Sequence, residues 1–149
     1  MGLDLAGAPP FVERVTAVLL AGRGDELRVS ALPVDGTYPT GTTRWEKRAL
    51  AAEIPIWEPD LCIDCARCTI ICPHAAIRLK VVPEAALAGA PAGFKAKGGK
   101  GEPGSRAVIQ VAPDDCTGCG VCVDVCPAHS KDEPLRRAIE LQPVAEHRE

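Results

Sequence analysis

The placement of eight cysteines limits what this chain can fold into more than any other feature. Cys62, Cys65, Cys68 and Cys72 are followed by Pro73, and Cys116, Cys119, Cys122 and Cys126 by Pro127, so C-x2-C-x2-C-x3-C-P occurs twice at an offset of 54 residues. The likeness begins upstream, where Glu58-Pro59-Asp60-Leu61-Cys62 aligns with Ala112-Pro113-Asp114-Asp115-Cys116. Repetition at a fixed offset predicts two similar supersecondary units, each with three thiols on a tight loop and a fourth on a short helix leading away.

Cysteine on this scale needs disulfides, metal or redox chemistry. Disulfides would suit a secreted chain, but the only apolar stretch resembling an export signal, Val15 to Ala21, follows Glu13 and Arg14 and lacks a small-residue cleavage site. Disulfide pairing also gives no reason for the repeat. Zinc accepts four thiolates, yet structural zinc sites usually space their ligands as two separated pairs. The run found here is that of bacterial ferredoxins with two 4Fe-4S clusters, in which the fourth cysteine serves the other cluster. Following that pattern, Cys62, Cys65, Cys68 and Cys126 are expected to hold one cluster, and Cys116, Cys119, Cys122 and Cys72 the other. Crossed ligation of this kind would staple the halves together.

Pro73 and Pro127 suit a chain reversal after each last ligand, and Gly118 and Gly120 let backbone amides approach sulfur. Asp64 and Ala66 stand at the equivalent places of the first copy, which predicts different surroundings for the two clusters. Cysteine would fill every ligand position and leave no iron open to substrate, so one-electron transfer is the expected chemistry rather than Lewis-acid catalysis.

Charge and composition exclude other classes. Seventeen basic against 20 acidic residues give a net charge of −3, with no Lys or Arg run to act as a phosphate footprint, so no nucleic-acid partner is expected. Two cluster cores with eight thiolates would add about −4. No apolar run is long enough to cross a bilayer, and the chain reads as cytoplasmic, with no membrane partner.

Hydrophobic periodicity predicts strands at Ile54 to Trp57, Ile77 to Val82, Arg106 to Val111 and Ala138 to Gln142, with short helices through the later cysteines of each run. The fold class is therefore α+β, a pseudo-twofold ferredoxin-type module over 54–143 behind an N-terminal segment, 1–53, and before a tail, 144–149. Residues 83–105, rich in Gly, Ala, Pro and Lys, read as an exposed, flexible insertion, and Ala128 to Leu135 as a shorter one. Within the N-terminal segment, Phe11, Val15, Val18 and Leu19 recur at helical spacing, Leu27, Val29 and Ala31 alternate like a strand, and Asp35-Gly36 marks a turn. Thr43 and Glu46 fit a capping box that predicts a helix over 44–53.

Several residues that invite a functional role read better as ordinary surface. His74 and His129 follow complete ligand sets and are expected to be solvated. Gly98-Gly99-Lys100-Gly101 lacks the Ser or Thr of a phosphate-binding loop. Lys95, Lys97, Lys100 and Arg106 are read as a solvated loop face and not as a docking patch.

The stretch Asp35-Gly36-Thr37-Tyr38-Pro39-Thr40-Gly41-Thr42-Thr43-Arg44-Trp45-Glu46-Lys47-Arg48, with Glu53 to Pro59 and the first cysteine run, resembles the interior of pyruvate:ferredoxin (flavodoxin) oxidoreductase, at its so-called EKR segment. Leu87 to Ala92 and Asp114 to Gly120 are similar to that family as well, and the likeness covers nearly all of 24–143. The cysteine runs alone fit many ferredoxins; GTTRWEKR makes the match specific. The resemblance implies electron transfer within an enzyme that decarboxylates a 2-oxoacid on thiamine diphosphate and passes electrons to ferredoxin or flavodoxin. It also implies that the remaining domains or subunits of that enzyme are partners. The Gly-Asp-Gly opening of the family's thiamine-binding pattern is missing, as is its closing Asn, so no thiamine site is expected here and catalysis by the chain alone is not. The other classes are a free-standing ferredoxin-type carrier and an assembly or docking protein with structural clusters. Val144 to Glu149 has no cap or stop signal and reads as a chain cut within a linker.

Overall fold

In the computed structural model, which describes residues 4–99 and 103–147, the chain separates into two units, Met1–Arg48 and Ala49–Glu149. In the first, a π-helical turn, Val12–Thr16, runs into the one-turn helix α1, Ala17–Leu20. The wider turn is visible in the bond from the Ala17 N–H to the Val12 carbonyl, five residues back. It moves the inward stripe to Val12, Val15 and Thr16 and leaves Leu19 exposed, so the predicted stripe is only partly recovered. Thr16 Oγ1 lies 2.6 Å from the Tyr38 hydroxyl, and the rings of Phe11 and Tyr38 meet edge to face at 5.1 Å.

Two expectations fail in this unit. Leu27 to Ala31 is not a strand: Gly24–Glu26 and Val29–Ala31 are 3-10 turns, and Val29 is exposed. Alternation over three residues, closed off by Pro33, is too short to hold a strand by itself. No helix occupies 44–53 either. Thr42–Arg44 is a single 3-10 turn entered from Gly41 at φ +77°, and Glu53 already begins a strand. The Asp35 turn is present: its Oδ1 accepts both the N–H and the hydroxyl of Thr37, at 3.1 and 2.7 Å. The Thr37 hydroxyl first, then the backbone N–H, holds the Asp35 carboxyl below its usual range.

The second unit carries β1 (Glu53–Trp57), α2 (Arg67–Ile71), β2 (Ile77–Pro83), β3 (Lys97–Gly98), β4 (Ser105–Val111), α3 (Val121–Asp124) and β5 (Ile139–Pro143). Four of the five strands and both helices lie where periodicity puts them, within a residue or so at the ends. β1 pairs antiparallel with β5, Trp57 opposite Ile139, and β2 pairs antiparallel with β4, Ile77 opposite Val111. Each pairing therefore joins a strand of one cysteine copy to a strand of the other. Pro55 is tolerated because a two-stranded sheet consists only of edges.

The described part of the 83–105 insertion contains two short elements. Glu84–Leu87 forms a 3-10 turn and β3 adds to β4; Arg106 reaches back to Glu84. Lys100 and Gly101 of the rejected phosphate-loop motif lie outside the described residues, as do Arg148 and Glu149 of the tail. The shorter insertion folds back on itself, with Ser130 N–H on the Arg136 carbonyl and Ala138 N–H on that of Ala128, both at 2.9 Å.

Trp57, Ile77, Ile109 and Ile139 form the core together with Cys68 and Cys122, and Cys62 and Cys72 pack against it. With so few aromatic side chains the core is small, and half of the cysteines are part of it or touch it. Among the described residues no helix is long and apolar enough to cross a membrane.

Candidate iron–sulfur site

The two cysteine loops adopt the same backbone conformation from different residues. In the first, Asp64 and Ala66 take φ +62° and +56°; in the second, Gly118 and Gly120 take +69° and +76°. The effect is to turn one amide back on the first sulfur of each run: Asp64 N–H donates to Cys62 Sγ and Gly118 N–H to Cys116 Sγ, both at 3.4 Å. Ala66 and Gly120 then open α2 and α3 by accepting from the next turn. The expected contrast between the loops is therefore not one of amide-to-sulfur contact. It lies in strain, since glycine takes positive φ freely and alanine and aspartate do not, and in the carboxylate of Asp64.

Exposure of the thiols follows the same repeat: Cys62 and Cys116 are half-buried, Cys65 and Cys119 exposed, Cys68 and Cys122 buried, Cys72 and Cys126 half-buried. Burial pushes both the Cys68 and the Cys122 thiols up to about 11. Neighbouring sulfurs add to this. For Cys68 they are Cys62, Cys126 and Cys122, and for Cys122 they are Cys116 and Cys119. The last cysteine of the second run is thus felt by the first loop. Burial also raises Cys72, but the backbone N–H groups of Ile77, His74, Ala76 and Ala75 outweigh it and bring the thiol below its ordinary value; the Ala76 N–H lies 3.3 Å from Cys72 Sγ.

An apolar hollow is lined by Cys72, Cys116, Cys119 and Cys122, with Pro55, Pro73, Ile77, Val111 and Leu141 around them. The fourth cysteine of one run and the first three of the other thus open on one space. Among the described residues no three His, Cys, Asp or Glu side chains converge as for a single ion, whereas a cubane takes one thiolate on each of four separate irons. Thiols spread around an apolar space, with backbone N–H groups aimed at their sulfurs, are a donor set that fits such clusters.

His74 and His129 are exposed, and Nδ1 of His129 lies 3.1 Å from the Pro127 carbonyl. Two residues next to the cysteine loops were not legible as such. Lys97 binds the Cys62 carbonyl and pairs with Asp64 at 3.3 Å, which corrects its reading as solvated loop. Arg137 Nη1 donates to the carbonyls of Val123, Asp124 and Cys126 at 2.9, 2.8 and 2.9 Å. Lys97 and Arg137 lie far from the loops they bind in sequence, and no motif spacing marks them.

Comparison with known proteins adds to this geometry. A family of 4Fe-4S dicluster domains matches residues 61–130, and the EKR family, described as a domain of unknown function, matches residues 4–51. A putative pyruvate-flavodoxin oxidoreductase of Synechocystis sp. is 56% identical over 144 residues, which are 95% of this chain and 12% of the relative. A probable pyruvate-flavodoxin oxidoreductase of Escherichia coli is 54% identical over 142 residues, 94% of this chain and 12% of the relative. The pyruvate:ferredoxin oxidoreductase of Moorella thermoacetica is 50% identical over 125 residues, 83% and 11% respectively. The chain thus spans about an eighth of the length of the curated relatives it matches.

Proposed function

We propose that this chain, which by its sequence is an internal segment of the pyruvate-flavodoxin oxidoreductases, relays electrons through two 4Fe-4S clusters. When bound, the clusters supply one-electron redox chemistry with no open iron for substrate. Cys62, Cys65, Cys68 and Cys126 hold one, and Cys116, Cys119, Cys122 and Cys72 the other, so the module over 54–143 is pseudo-twofold and each cluster ties the two copies together. Residues 1–53 are its EKR-type N-terminal segment, the insertion at 83–105 is part of the module, and 144–149 are its tail. In the whole enzyme the electrons would come from a thiamine site elsewhere and leave to ferredoxin or flavodoxin.

The observation that carries this reading is the hollow lined by Cys72 together with Cys116, Cys119 and Cys122. The chain's own contribution is to hold the thiols apart around apolar surface, to direct the amides of Asp64, Ala76 and Gly118 at sulfur, and to exclude water from Cys68 and Cys122.

Anaerobic reconstitution with iron and sulfide should load about eight irons per chain, reducible by dithionite in one-electron steps. Replacing Cys72→Ser should disturb the same paramagnetic signal as Cys116→Ser and spare the one altered by Cys62→Ser. If Cys72→Ser and Cys62→Ser altered one and the same signal, the crossed ligand sets would be wrong. Failure to take up iron or to be reduced would remove the electron-transfer reading itself.

A further inference from the structure

The insertion between the cysteine runs comes back to the first of them. From β3, Lys97 sets its Nζ on the carbonyl of Cys62 and 3.3 Å from Asp64 Oδ1. The two side chains are only 28% and 22% exposed, so solvent screens them incompletely. A second cation reaches the last ligand of the other run: Arg137 Nη1 donates to the Cys126 carbonyl at 2.9 Å. In the ligand sets proposed above, Cys62 and Cys126 serve the same cluster.

Resting on that reading, we propose that Lys97 and Arg137 are positioning residues that raise the reduction potential of the cluster on Cys62, Cys65, Cys68 and Cys126, with the Asp64 carboxylate opposing Lys97. Each one-electron reduction adds one negative charge to a group that already carries four thiolates. A fixed cation nearby stabilises the reduced form more than the oxidised one, and a fixed anion does the reverse. At the second cluster Gly118 stands at the place of Asp64, so this carboxylate has no counterpart there. The two clusters then differ in potential, a difference set in part by an insertion that the cysteine pattern alone does not need.

The test is a potentiometric titration of the anaerobically reconstituted full chain, with dithionite and mediators, each cluster followed by its paramagnetic signal; the signal that Cys65→Ser alters identifies the cluster in question. Lys97→Gln should weaken the one-electron reduction of that cluster about tenfold, equivalent to about 59 mV, and Lys97→Arg should restore it. Arg137→Gln should act in the same direction. Asp64→Asn, which keeps a residue tolerant of positive φ, should shift the same potential the opposite way. Lys97→Gln and Asp64→Asn moving the potential in one direction, or neither moving it, would overturn the proposal, because a merely structural disturbance does not follow the sign of the charge removed. Should Lys97→Gln lose the cluster, the shift in Asp64→Asn and the restored value in Lys97→Arg decide the matter. A wild-type chain with both clusters but with Cys62 and Cys126 on different ones would instead defeat the ligation reading.

Discussion

At the scale of single residues, the two cysteine loops set a contrast between strain and freedom. Gly118 stands at φ +69°, and a Cβ there would come 3.2 Å from the Glu53 carbonyl oxygen. Gly118→Ala should therefore cost about 1–2 kcal/mol in anaerobic chemical denaturation. Ala66→Gly relieves φ +56° at the start of α2 and should stabilise by about 0.5 kcal/mol, part of the relief being lost to the unfolded chain. The buried thiols give a pH dependence of definite sign. In the iron-free chain Cys68 and Cys122 keep their protons to about 11 in the folded state, against an ordinary value of 9.0. Unfolding then releases protons in between, so the stability that burial of the neutral thiols contributes is intact below pH 9 and is lost as the pH rises from 9 through 11. Urea midpoints of the reduced, iron-free protein should fall across that window, and fall less in a Cys68→Ala, Cys122→Ala double variant; equal falls would contradict the assignment. The cysteines themselves were legible from spacing alone. The cations that reach them were not, because Lys97 and Arg137 lie 35 and 11 residues from the carbonyls they bind, and nothing local announces either partner.

At the scale of elements, the sheets explain which predictions succeeded. Ile54 and Ile139 are nearly fully buried on β1 and β5, and Ile77 and Ile109 on β2 and β4. Each of these strands pairs with a strand from the other cysteine copy, so its apolar residues had a fixed face to fill. Ile139→Ala should cost about 2–5 kcal/mol in chemical denaturation, whereas Ile70→Ala, on the exposed face of α2, should stay within about 0.5 kcal/mol. The failures share one cause. The capping box at Thr43 and the alternation at Leu27 to Ala31 are short local signals that weigh little against tertiary context, and at the end of the first a strand takes the chain over: Ala49 N–H already bonds the Asp114 carbonyl, four residues before β1. The two-residue β3 was missed for the opposite reason, since its Lys-Gly sequence carries no strand signal and the edge of β4 supplies the pairing.

At the scale of the whole molecule, the division at Arg48 and Ala49 makes a prediction of its own. Lys47 and Arg48 are exposed at the division, so brief trypsin treatment of the reconstituted chain should cut there first and leave a fragment beginning at Ala49 that keeps its iron; loss of iron with that cut would show that the first unit is needed to hold the clusters. The sequence by itself determined the grouping of the eight cysteines into two runs and the strands that flank them, because thiol spacing and period-two burial are properties of neighbouring residues. Only the tertiary structure decided that the insertion returns to the Cys62 loop, that a π turn shifts the inward stripe of the first unit, and that Asp64 and Ala66 are bent into a glycine's conformation. Those outcomes depend on contacts between residues distant in the chain, and packing, not local preference, sets them.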